Sequence, residues 1–67
     1  MPRYLVESGD LSRNIYEVTA KTAALSAVAS AGSYLLGELT VVTEAGGNEP
    51  VYISTRLLLE HLQIGVN

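Results

Sequence analysis

The chain has 67 residues, of which 48% are hydrophobic and only 16% are charged, and seven acidic residues against four basic ones give a net charge of −3. This length allows one small domain, residues 1–67, and the excess of hydrophobic over charged residues excludes a disordered chain. A net negative charge repels phosphate backbones, so nucleic-acid binding is disfavoured.

The first half of the chain predicts a β-hairpin. Residues alternate in polarity over Arg3–Ser8, which is the period of a half-buried strand. Gly9 and Asp10 supply turn chemistry, and the β-branched and aromatic content of residues 14–18 indicates a second strand.

A helix follows this hairpin. Thr22 is the predicted N-cap, because its hydroxyl can accept from an early helical N–H, and the helix is expected to reach about Ala31 with Gly32 at its C-terminal cap. One stripe of this helix is apolar but contributes little area, since half of it is alanine: Ala24, Leu25, Val28 and Ala31.

The second half predicts the same order of elements. Residues 38–44 have apolar side chains on both faces, which is typical of a central strand, and Gly46-Gly47-Asn48 is a turn. Pro50 opens a short fourth strand over residues 51–53. Ser54 or Thr55 is expected to cap a helix over residues 56–63, closed by Gly65 with Ile64 and Val66 as its apolar neighbours.

The two halves align at an offset of about 36 residues, with residues 15–19 opposite residues 51–55. Internal duplication and convergence on a common plan both remain open. Either origin predicts an α+β fold of order ββαββα, with a four-stranded antiparallel sheet, two helices on one face and the opposite face open.

No residue pattern indicates catalysis or a cofactor. His61 is the only histidine and there is no cysteine, so no metal site, disulfide or cofactor is expected, and His61 is interpreted as an edge position of the last helix. Gly46-Gly47 joins two strands and is interpreted as a hairpin turn and not a phosphate cradle. We therefore assign no catalytic, metal-binding or cofactor-binding residue.

Two features favour contact with another protein. Leu57, Leu58 and Leu59 cannot all face one side of a helix, so at least one points toward solvent or a partner, unless a wide stripe is buried under the first helix. Tyrosine is enriched at interfaces, and base stacking by tyrosine would need more cations than this chain has. The predicted interface residues are Leu57, Leu59, Leu62, Tyr16 and Tyr52.

The sequence is consistent with a non-enzymatic protein–protein interaction module, such as a small adaptor, inhibitor or assembly component. A core of this size rarely supplies more than about 3 to 5 kcal/mol, so we expect a homodimer or higher homo-oligomer, with another protein as a further partner. The alternative is a nucleic-acid-binding accessory protein.

The N-terminal residues carry no signal-peptide pattern, and no stretch reaches the roughly 20 apolar residues of a membrane span. We expect a cytoplasmic protein without membrane contact. A chain of this size that begins with Met is typical of compact prokaryotic or phage genomes.

Overall fold

Two hairpins form one antiparallel sheet. The computed structural model describes residues 1–32, 34–47 and 49–66, and side chains among these as far as residue 63. Strand order across the sheet is β2-β1-β3-β4, so β1 and β3 are central and β2 and β4 are edges. The predicted α+β fold of order ββαββα is confirmed: β1 (Arg3–Ser8), β2 (Leu11–Tyr16), α1 (Ala20–Ala29), β3 (Leu39–Glu44), β4 (Val51–Ser54) and α2 (Thr55–Val66).

The first hairpin is tighter than the sequence suggests. A two-residue loop joins the strands, and pairing begins at once with Ser8 opposite Leu11. Gly9 has a φ of 55°, which suits the first position of such a loop. The predicted second strand is present, but it spans Leu11–Tyr16 and not residues 14–18. The buried Leu11 fixes its start, and the exposed polar residues at its centre obscure its extended character in the sequence.

The N-cap of α1 is Thr19, not Thr22. The Thr22 N–H donates to Thr19 Oγ1 at 3.2 Å, and the Thr19 N–H donates to Thr22 Oγ1 at 3.1 Å. These reciprocal bonds form a capping box in which Thr22 occupies the third helical position. The helix ends at Ala29, two residues before the predicted end, and Gly32 adopts the expected positive φ of 64°.

The second hairpin and α2 agree with the elements predicted from the sequence, except at the C-terminal end of α2. Gly46 and Gly47 have φ values of 112° and 99° in the β3–β4 turn, while Asn48 lies outside the described residues. The Leu57 N–H donates to Ser54 Oγ at 3.5 Å, which makes Ser54 the capping residue.

The prediction that Gly65 closes α2 was wrong, because α2 continues through Val66. One glycine within a helix costs only about 1 kcal/mol, so the helix can pass through it. The side chains of Ile64 and Val66 lie outside the described part of the chain.

The core lies between the sheet and the two helices. Val6, Val42 and Leu11 are almost completely buried on the helix side of the sheet, and Leu58 is the buried leucine of α2. Small side chains let α1 approach the sheet closely. Its buried residues are Ala23, Ala24, Ala27 and Val28.

The two central strands pair about one point. Val6 lies directly opposite Val42, and 42 − 6 is 36, which is the offset that relates the two halves of the sequence. The two central strands are thus related by a local two-fold axis between these valines. An internal duplication stays a prediction, since convergence can produce the same arrangement.

Candidate interaction surfaces

The face of the sheet opposite the helices is open. Tyr52 and Tyr16 project on this face from the two edge strands, with exposed fractions of 63% and 61%. Between them lie the half-buried side chains of Leu5 and Val41. Since β1 and β3 separate the two tyrosines, they do not belong to one compact patch.

The three successive leucines of α2 point in different directions. Leu58 is only 2% exposed, whereas Leu57 and Leu59 are 54% and 47% exposed. Leu57 and Leu59 are two residues apart, which separates them by about 200° around the helix. The sequence expectation that at least one leucine points outward is confirmed, and the structure places two such leucines on opposite sides of α2.

Leu57 lies beside the edge strand β4. It lines a surface groove of about 340 Å³ with Ile53 of β4, Leu58, Lys21 and His61. Ile53 lies on the helix side of the sheet and packs against the core. Leu57 therefore extends the apolar surface of β4.

Leu59 faces a separate pocket of about 620 Å³ at the end of the sheet where β3 begins. Its apolar lining includes Leu36 and Leu39. Leu62, in contrast, packs against the core cluster and is half-buried. The five residues predicted at an interface are thus distributed over four regions, and only Leu57 and Tyr52 flank the same element.

The two edge strands differ in chemistry. The middle of β2 is Ser12-Arg13-Asn14, all exposed, and the Arg13 guanidinium donates to Ser30 Oγ at 3.1 Å. The sequence of β4 is Val51-Tyr52-Ile53-Ser54, without a charged residue. Charged side chains on an edge strand discourage pairing with another strand, so β2 is protected and β4 is not.

Three hydroxyls are buried at one end of the core. Thr55 Oγ1 lies 2.8 Å from Thr40 Oγ1 and 3.4 Å from Ser8 Oγ. Ser8 Oγ also accepts from the Gly37 N–H and donates to the Leu39 carbonyl. A nucleophilic hydroxyl needs a base within reach, and these hydroxyls instead bond to one another and to the backbone. Their arrangement joins β1 and β3 to the start of α2.

The ionisable side chains do not converge. Within the described residues, no three His, Asp or Glu side chains form a group that could hold a metal ion. The cations lie on four different elements, and Arg56 pairs with Glu60 at 3.2 Å within α2. The four cationic side chains are Arg3 on β1, Arg13 on β2, Lys21 on α1 and Arg56 on α2.

Comparisons with known proteins give no functional information. No family model matches the chain, and no curated protein or solved structure is significantly similar to it. In the described part of the chain, neither helix is long and apolar enough to cross a membrane.

Which edge of the sheet is open to pairing with another strand was not predicted from the sequence. That property depends on which backbone groups point away from the sheet, and these are known only once the register is known. The available signal was the contrast between the uncharged run of residues 51–54 and the polar run of residues 12–14.

Proposed function

We propose that this chain is a non-enzymatic protein–protein interaction module that self-associates. The observation that carries the proposal is the apolar surface around β4. Val51 and Tyr52 of the uncharged edge strand are 45% and 63% exposed, and Leu57 beside this strand is 54% exposed. An exposed apolar edge is an unfavourable surface for an isolated domain and a favourable one for association.

The small core supports self-association. Four of the ten buried apolar residues are alanines, which contribute little apolar area each. Ten larger apolar side chains are exposed among the described residues. A second copy of the chain would cover part of this surface and add stability to a domain that lacks disulfides.

The proposal includes a cytoplasmic location, with which the lack of cysteine in the sequence is compatible. The proposal also includes contact between the open sheet face and a different protein, which stays a prediction. The dispersed cations offer no stripe along which a nucleic-acid backbone could run, so we do not adopt the nucleic-acid alternative.

Sedimentation of the wild-type protein between about 1 and 100 μM tests self-association, because a micromolar dissociation constant corresponds to about 8 kcal/mol. We expect the weight-average mass to rise toward that of a dimer across this range. A protein that remains monomeric at about 100 μM would contradict the proposal. A gel shift with mixed DNA and RNA in the same buffer should show no complex, and a specific complex would favour the alternative.

A further inference from the structure

The register of the sheet determines which backbone groups of β4 point outward. The Thr55 N–H donates to the Glu38 carbonyl at 3.0 Å, so this opposed pair is hydrogen-bonded. Hydrogen-bonded pairs alternate along an antiparallel ladder, which directs the N–H and C=O groups of Val51 and Ile53 toward β3. The N–H and C=O of Tyr52 and the N–H of Ser54 therefore point away from the sheet.

Such outward groups select another extended strand as their partner, because a strand supplies donors and acceptors at the matching spacing. A second copy of β4 suits this edge, since it carries no charge that an identical strand would repel. The other edge differs. On β2 the backbone N–H and C=O groups that point away from the sheet belong to Ser12, Asn14 and Tyr16, and the charged Arg13 lies between these residues.

We propose that two copies of the chain pair antiparallel through β4, with Tyr52 opposite Tyr52 of the second copy, to form one continuous eight-stranded sheet. This inference rests on the proposed function and specifies its contact. The two tyrosines exchange two backbone hydrogen bonds. Each Ser54 N–H donates to the Pro50 carbonyl of the second copy. Pro50 lacks an N–H, and the Ser54 carbonyl belongs to the first turn of α2, so this register sacrifices no donor.

The side chains agree with this register. On the helix side, Val51 of one copy lies opposite Ile53 of the other, and Leu57 lies beside Ile53. The rings of the two Tyr52 side chains become neighbours on the open face.

The charges next to β4 are also complementary. The exposed Glu49 comes opposite Thr55 of the second copy, at the start of its α2. The first turn of α2 has no acidic residue of its own, and a carboxylate near a helix N-terminus is stabilising.

Disulfide formation by a single introduced cysteine tests the register, and the cysteine-free sequence makes the reaction specific. In Tyr52→Cys the two sulfurs belong to residues whose Cα atoms are about 5.5 Å apart, within disulfide range. Tyr16→Cys is the matched control, because Tyr16 is equally exposed and points outward from the other edge strand. Under mild oxidation we expect disulfide-linked dimer to form at least tenfold faster in Tyr52→Cys.

Amide hydrogen exchange of the wild-type protein provides the second measurement and involves no substitution. Exchange at Tyr52 and Ser54 should slow at least tenfold between about 1 and 100 μM, while exchange at Asn14 should not change. A protein that dimerises without this protection, and in which Tyr52→Cys reacts no faster than Tyr16→Cys, would overturn the β4 register and leave the proposed function standing. A protein that is monomeric in sedimentation would overturn both.

Discussion

The hydroxyls of Thr40 and Thr55 lie 2.8 Å apart in the interior, and both residues are almost completely buried. Thr40 belongs to the central strand β3, and Thr55 is the first residue of α2. A short buried hydrogen bond thus fixes where the last helix leaves the sheet. A buried hydroxyl is costly without a partner, so this pair holds the start of α2 in one position.

Thr55→Val should destabilise the protein by about 1 to 3 kcal/mol, because the substitution keeps the shape but leaves the Thr40 hydroxyl without its partner. Urea unfolding followed by circular dichroism measures the loss. The double variant Thr40→Val/Thr55→Val should lose less than the sum of the two single variants, since removing both partners leaves neither unpaired. Additive losses would contradict a direct bond between these hydroxyls.

Gly9→Ala should be strongly destabilising, by about 2 kcal/mol more than Gly32→Ala. Both glycines have a positive φ, 55° and 64°, so both variants incur a similar backbone cost. A Cβ at Gly9 would lie 2.8 Å from the Gly37 backbone N and would clash with the Leu35 carbonyl oxygen, whereas a Cβ at Gly32 has no neighbour within 4 Å. Thermal unfolding of the two variants isolates the steric part, and equal losses would show that the loop around Leu35 can move aside.

Thr19→Ala should cost about 1 kcal/mol, since it removes the acceptor for the Thr22 N–H at the start of α1. Thr22→Ala is the control and should cost less, because the Thr22 N–H keeps its acceptor, although the variant loses the bond from the Thr19 N–H and the one that the Thr22 hydroxyl donates to the Thr19 carbonyl at 2.9 Å. The comparison requires chemical unfolding curves of both variants. A larger loss of stability from Thr22→Ala would indicate that Thr22 is the N-cap, as the sequence alone suggested.

The sequence was sufficient for the order of elements and for the fold class, because strand alternation and glycine turns are local signals. It was insufficient where the role of a residue depends on contacts with other parts of the chain. Two threonines three residues apart offer two caps, and the choice depends on where the chain leaves β2. The buried face of β3 is likewise selected by the pairing of Val42 with Val6, which places Thr40 inside and leaves Leu39 51% exposed.

The candidate interaction surfaces were likewise predictable only in part from the sequence. The run of leucines predicted outward-facing side chains correctly, but not that Leu57 and Leu59 would face different neighbours. Leu57 adjoins Ile53 on the edge strand, and Leu59 adjoins Leu39 at the end of the sheet. Helical spacing gives the angle between two residues, whereas their surroundings depend on how α2 crosses the sheet.

Leu57→Glu should weaken dimerisation at least ~100-fold, which is about 2.7 kcal/mol, while Leu59→Glu should change it no more than about threefold. The reason is the position of Leu57 beside β4, where pairing would bury its side chain, and removing a carboxylate from water is costly. Leu59 faces the pocket at the other side of α2. Both leucines are about half exposed, so both variants should keep the helical signal in circular dichroism. Sedimentation equilibrium gives the two dissociation constants. A dimer disrupted by Leu59→Glu and unaffected by Leu57→Glu would move the contact to the surface that Leu59 forms with Leu36 and Leu39.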